Sequence, residues 1–261
     1  MTLRSSLSAA RSSGTIDPVA TRILTWNLQG RERPDLNDVA GAIASFGPDV
    51  VALQEVQRRQ ARALAVRLGW TVAWRFKHWS LVVPPEGLAL LTPATPAGVG
   101  AVVLARRWRF WSWRRRIAIR ATVAAPDGPL AVVVAHLGAG VGDAERSRQA
   151  SLTVEALTDG GRDVVGTSIV GDLNTRPDSA VLAAYRAAGF RDAWSDRHPD
   201  APVATNWGRG PRDSAPARRL DYVLVDDALS VDAADVPSAD FARWGALSDH
   251  LPVVVTVSPR A

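Results

Sequence analysis

The sequence predicts an α/β protein built as one domain, and three features carry that expectation. From Thr21 onward, short apolar runs alternate with segments whose apolar residues recur at helical spacing. In the middle, four strand-like runs follow one another with no helix between them. Finally, 47% of the 261 residues are hydrophobic, enough to bury a substantial core.

Each element can be justified in order. Residues 1–20 are rich in Ser and Ala and lack the apolar stretch of a secretory signal, so they read as a flexible tail ahead of a single catalytic domain at 21–261. "RILTWN" (22–27) and "DVVALQE" (49–55) have the density of buried strands. The helical segments 35–46 and 58–68 follow them, closed by Pro48 and Gly69. "GLALLT" (87–92), "GAVVLA" (100–105), "IAIRATV" (117–123) and "LAVVVAHL" (130–137) read as an antiparallel meander with turns such as "APDGP". A helix at 143–158, a strand at 168–174 and a helix at 178–188 come next. The Pro- and Arg-rich 196–219 is a long loop, of the kind that often serves function, and strands at 220–225 and 252–257 close the chain. No run reaches membrane-spanning length, and the chain has no cysteine for a disulfide or thiolate site. The expectation is a cytoplasmic monomer without an integral membrane segment.

The net charge of +5 is local in origin. Seven arginines lie between Arg106 and Arg120 without one acidic residue, and outside that stretch acidic residues outnumber basic ones. Within "ARRWRFWSWRRR" (105–116) the arginines interleave with Trp108, Phe110, Trp111 and Trp113. His136 ends a strand, so the antiparallel trace returns 106–114 to the same end of the sheet. A slip in the alternation near 110–111 suits a turn there. Such a stretch can contact nucleic acid through arginines and stacking tryptophans, lie on a lipid surface, or be a solvated rim.

Polar residues with catalytic potential collect where the strands stop. Asn27 and Glu55 end the first two strands, His136 closes the meander, and Asp172 with Asn174 follows "SIV". Asp221 opens "DYVLV", and Asp249 with His250 leads into the last strand. Side chains at strand ends can converge on one rim while the apolar runs stay buried. Carboxylates, asparagines and histidines without cysteine suit one phosphate and one hard divalent cation, Mg²⁺ or Mn²⁺ rather than zinc.

The ordered series "TWNLQG", "VVALQEV", "EGLALLT", "VVAHL", "IVGDLNTRP", "RLDYVLV" and "LSDHLPVVV" resembles the endonuclease/exonuclease/phosphatase superfamily over residues 22 to about 257. The resemblance implies a four-layer α/β sandwich, two mainly antiparallel sheets face to face with helices outside. It also implies a metal site of Glu55, Asn27 and Asp249, with Glu55 the direct ligand. By the same resemblance Asp172 orients and deprotonates the attacking water and Asn174 contacts the phosphate. His136 and His250 face that phosphate, supported by Glu86 and Asp221 respectively, each pairing raising the histidine's pKa. Arg219 matches a frequent basic position. Substrate contacts are expected from Asn174 and Arg219, and from Arg107, Arg109, Trp111 and Trp113 of the basic stretch. The implied activity is a Mg²⁺-dependent phosphodiesterase acting on nucleic acid. A lipid or small-molecule phosphoesterase is the alternative within the enzyme class. A non-catalytic binding protein on the same fold is the alternative outside it, disfavoured by intact Glu55, His136, Asp172 and His250.

Overall fold

A computed structural model describes residues 20–80, 85–109, 112–158 and 163–260, so nearly all of the expected tail lies outside the described residues. In chain order the elements are β1 (Thr21–Asn27), α1 (Leu36–Ser45), β2 (Val50–Val56), α2 (Arg58–Leu68), β3 (Thr71–Ser80), β4 (Glu86–Thr92), β5 (Ala97–Arg109), β6 (Ser112–Ala125) and β7 (Gly128–His136). They continue with α3 (Asp143–Thr158), β8 (Gly166–Asp172), α4 (Ala180–Ala187), β9 (Arg191–Asp192), α5 (Ala193–Arg197), β10 (Asp221–Val225), β11 (Leu229–Asp235), α6 (Phe241–Leu247) and β12 (Val253–Pro259).

The strands form two sheets, ordered β11-β12-β1-β2-β4-β3 and β5-β6-β7-β8-β10-β9. Their edges join only where His78–Ser80 of β3 pair with Ser112–Arg114 of β6. Neighbours run antiparallel except β1 with β2 and β7 with β8. The sheets pack face to face through Ile23, Val50 and Leu90 on one side and Ile119, Val132, Val170 and Val223 on the other. Outward-facing Leu24, Trp26 and Leu53 meet Val39 and Ile43 of α1 and Leu64 of α2. On the opposite surface Val133, Ile169 and Leu224 meet Leu182 and Tyr185 of α4. The result is the four-layer sandwich. It explains why the strands read as unbroken apolar runs: both faces of each sheet are covered.

Several features depart from the sequence expectations. β3, β11, α5 and α6 had no predicted counterpart. The described part of 106–114 is strand, β5 running to Arg109 and β6 starting at Ser112, with those two residues paired. A register irregularity falls between Val103 and Ala105, and residues 110–111, where the alternation slips, lie outside the described residues. The trace itself has the expected sense. Ala118 pairs with Ala135, so the hairpin residues before Ala118 extend past the end of β7 where His136 sits. Backbone pairing between β5 and β6 holds the described part of that arm.

Candidate active site

Register brings the polar residues abreast. β7 and β8 place His136 opposite Asp172, and β10 places Asp221 opposite Asp172 on the other side. Gly171 permits the close approach of β7 and β8: its φ is 138°, and an added Cβ would collide with the Ala135 carbonyl oxygen. Glu55 and Asn174 are both non-glycine residues at positive φ, 51° and 49°. Such backbone typically costs about 1–3 kcal/mol and persists where the surroundings over-determine it. Asn174 lies just past the end of β8, and at Glu55 a register shift between Leu53 and Val56 interrupts the β2–β4 pairing.

Asp172 is the hub. Its Oδ2 accepts from Asn27 Nδ2 at 3.0 Å, and its Oδ1 accepts from the Asn174 backbone N–H at 2.9 Å. The Asn174 side chain is held by donation to the Leu137 carbonyl at 3.1 Å. Nε2 of His136 lies 3.7 Å and Nε2 of His250 3.9 Å from Asp172 Oδ2. Nδ1 of His250 donates to Asp221 Oδ2 at 2.7 Å, and Thr205 Oγ1 donates to the same oxygen at 2.6 Å. The Ser248–His250 segment is tied to β1 by Ser248 Oγ donating to the Asn27 carbonyl and Trp26 Nε1 donating to the His250 carbonyl. The long loop supports it from the other side, with Asn206 Nδ2 donating to the Asp249 carbonyl and Leu251 N to the Thr205 carbonyl. Thr205 and Asn206 carry no signal in the sequence, because they lie in a stretch without periodicity.

A buried lysine changes the picture at His136. Lys77 Nζ lies 3.1 Å from His136 Nδ1, 3.8 Å from Glu55 Oε1 and 3.9 Å from Glu86 Oε2. The expected support of His136 by Glu86 therefore does not form directly. Lys77 stands between them, and Glu86 acts on the lysine. Burial lowers the pKa of Lys77, with Glu55, Glu86 and Asp172 opposing. While it is an ammonium it only donates, so Nδ1 accepts and the ring proton resides on Nε2, which points toward Glu55 and Asp172. The available signal was compositional. Lys77 is the only lysine in a chain otherwise using arginine, and a compact point charge fits among two carboxylates and an imidazole where a planar fork would not.

The two histidines consequently differ in charge. Burial lowers His136 well below 6.5, and the charges of Lys77, Arg116 and His250 lower it further, against the expectation of an imidazolium. Burial also acts to lower His250, but Asp221, Asp172 and Asp249 outweigh it and raise the group to about 10. Burial pushes Asp172 up to about 6, with Asp221 adding to the rise and His250 opposing it. Burial alone would raise Glu55, yet Lys77, His250, Arg116 and Arg31 together hold it below its ordinary value. Glu86 and Asp249 are both raised, chiefly by burial and then by the Glu55 charge, partly offset by nearby cations.

The raised pKa of His250 has a stability consequence. Its contribution is fully present below 6.5 and is lost as pH rises through about 10. Urea midpoints of the parent should fall between pH 7 and 10 more steeply than those of Asp221→Asn, in which the imidazolium loses its partner. Equal pH slopes in the two proteins would contradict the ion pair.

The donor set suits a hard cation. Glu55 and Asp249 are half-buried carboxylates close enough for the Glu55 charge to raise Asp249, the crowding a divalent ion relieves. Asn27 Oδ1 accepts from the Gln29 N–H at 3.1 Å and retains a second lone pair. Ligating atoms of Asp172, Asp221 and His250 also lie within 4.8 Å of one another, but a proton already bridges the last two.

Arg219 is buried and engaged, donating to Asp192 Oδ1 at 2.6 Å and lying over the Tyr222 ring. It lines, with Asn174, Arg146, Arg176 and Arg218, a cavity of about 770 Å³ beside the centre. Trp111 lies outside the described residues, and of Arg107, Arg109 and Trp113 only the backbone is described, within the hairpin arm.

This arrangement, a carboxylate flanked by amides, an imidazolium and a neutral imidazole at one rim, is that of an acid–base centre for an anionic substrate. The sequence matches the Endonuclease/Exonuclease/phosphatase family over residues 24–250, and the chain belongs to that family. Its members are phosphoric ester hydrolases, and this protein is an enzyme of that class. Among solved structures, the human Nocturnin catalytic domain with bound sulfate is similar at 23% identity, covering 93% of this chain and 96% of that one, with a TM-score of 0.74. An endonuclease/exonuclease/phosphatase from Beutenbergia cavernae is similar at 23% identity, covering 92% and 72%, with a TM-score of 0.69. D. rerio TDP2 complexed with single-strand DNA product is similar at 18% identity, covering 92% and 99%, with a TM-score of 0.67. At these identities the likeness concerns the fold. No curated protein sequence matches the chain. Among the described residues, no helix is long and apolar enough to cross a membrane.

Proposed function

We propose that this enzyme is a Mg²⁺- or Mn²⁺-dependent phosphodiesterase hydrolysing nucleic-acid phosphodiester bonds. The observation that carries the reading is the convergence of Asp172, His136 and His250, with the two Nε2 atoms 3.7 and 3.9 Å from one carboxylate oxygen. Asp172 is the general base. Fixed by Asn27 and Asn174, it takes a proton from water as the water oxygen bonds to phosphorus and the bond to the leaving oxygen breaks. His250, an imidazolium held by Asp221, and His136, a neutral Nε2–H donor held by Lys77, donate to the phosphoryl oxygens as charge builds. Asn174 contacts the phosphate. Glu55, with Asp249 and Asn27, would hold the divalent cation, which when bound offsets phosphate charge and polarises the ester. Arg107, Arg109, Trp111 and Trp113 of the basic stretch, with Arg219 in the wall beside Asn174, are the substrate contacts in this reading. A basic, aromatic projection beyond the rim favours a polyanion with bases that stack.

The test is a hydrolysis panel of duplex DNA, abasic DNA, RNA, sphingomyelin, inositol phosphates and bis-p-nitrophenyl phosphate, with and without metal. Mg²⁺ or Mn²⁺ should support cleavage of the last compound and of a nucleic acid, and EDTA should abolish both. Full activity after exhaustive chelation would remove the metal assignment. Cleavage confined to sphingomyelin or inositol phosphates would replace the substrate.

A further inference from the structure

A second cavity, of about 550 Å³, opens on the His136 side of the centre. Arg106, Arg115 and Arg116 of the hairpin and Arg148 of α3 line it, together with the loop 138–142 that leaves β7. Its one lining carboxylate, Glu145, is already committed, accepting from Arg148 at 2.9 Å and from Gln149 at 2.8 Å. The lining thus sets four arginines against one carboxylate. Adjacency to the chemistry is direct: Gly138 lies two residues past His136, and the Arg116 charge acts on Glu55, Lys77 and His136.

The arrangement runs against the stability of the hairpin. Arg106 and Arg115 are direct partners across the β5–β6 ladder. Like charges opposite one another destabilise a strand pair. Burial and the Arg106 charge together lower Arg115. A bound anion would remove the repulsion, and arginine forks are suited to phosphate oxygens. Of the arginines named in the proposed function, Arg107 and Arg109 lie farther out along the hairpin and Arg219 lines the other cavity, so this cavity is a separate feature.

We propose that the cavity binds a second, non-scissile phosphate of the nucleotide strand, so that the preferred substrate carries one phosphate at Asp172 and another among Arg106, Arg115, Arg116 and Arg148. The inference rests on the phosphodiesterase reading, and its test is a binding measurement that does not need turnover. Two dinucleotides are titrated calorimetrically into the metal-free protein, one with only the internal phosphodiester and one with an added terminal phosphate. The parent should bind the doubly phosphorylated form at least about tenfold more tightly, the gain expected of one charge-assisted contact. In the double variant Arg106→Ala, Arg148→Ala that ratio should fall severalfold, the two remaining arginines keeping part of the preference. Arg115 and Arg116 are left in place because the first packs over Phe76 and the second lies in the field of Lys77 and His136. Equal affinity of the parent for the two dinucleotides, or an unchanged ratio in the variant, overturns the site. If the ratio appears and drops as expected but neither dinucleotide is cleaved with metal present, the cavity stands and the nucleic-acid phosphodiesterase reading falls.

Discussion

Asp172→Asn should lower kcat on a phosphodiester by about 100-fold or more, the usual loss of a positioned general base. The substitution keeps the shape and the oxygen that accepts from Asn174 N–H, so binding of substrate should change far less than turnover. Stability separates a functional from a structural role. Asp172 titrates at about 6 against an ordinary 3.8, so above that pH the folded state holds a carboxylate it would rather protonate. A neutral Asn relieves that cost, and the melting temperature at pH 8 should be unchanged or higher while activity is lost. The same titration predicts a pH–rate profile that rises as Asp172 ionises, at about 6 in the free enzyme and lower once a cation neutralises the centre. Near-parent turnover in Asp172→Asn would mean another group accepts the proton.

Much of this site was legible in the sequence because its residues sit at the ends of apolar runs. Asn27, His136, Asp172 and Asp221 all terminate or open strands, and a strand end is fixed by the same residues that fill the core. The sandwich was implied by the family resemblance, and its double-sided burial accounts for runs such as "AVVVAH" without polar alternation. What escaped were features set by tertiary neighbours. In β3, Arg75 and Lys77 look like residues of a solvent face, yet Lys77 points into a buried cluster and Arg75 donates to the Val99 carbonyl. Arginine and tryptophan in alternation lack the apolar signature of a strand, so the length of the β5–β6 hairpin is not legible; pairing with β3 and within β5–β6 supplies its order instead. Glu86 was placed near the right group but one partner too close, because nothing local in the sequence reveals that an ammonium intervenes.

That ammonium leads to the second large effect. Lys77→Met should remove the donor to His136 Nδ1 and leave Glu55 and Glu86 without their shared cation. Breaking a buried ion pair on one side typically costs about 3–5 kcal/mol, so the variant should melt lower than the parent. Its turnover should also fall, up to about 100- to 1,000-fold if the Nε2–H of His136 is one of the donors to the developing charge. Lys77→Gln divides these effects. Its amide can still donate to Nδ1 but brings no charge, so it should restore the Nε2–H tautomer and part of kcat while Glu55 and Glu86 remain unneutralised. The tautomer can be read directly from ring ¹⁵N shifts of His136, a readout that lost packing alone would not move. The parent and Lys77→Gln should have Nδ1 as the acceptor nitrogen, whereas in Lys77→Met that preference should weaken. If Lys77→Met keeps both the parent tautomer and the parent kcat, His136 is oriented by something other than the lysine. If Lys77→Gln restores the tautomer without any recovery of kcat, the charge of Lys77, rather than its hydrogen bond, is what the centre requires.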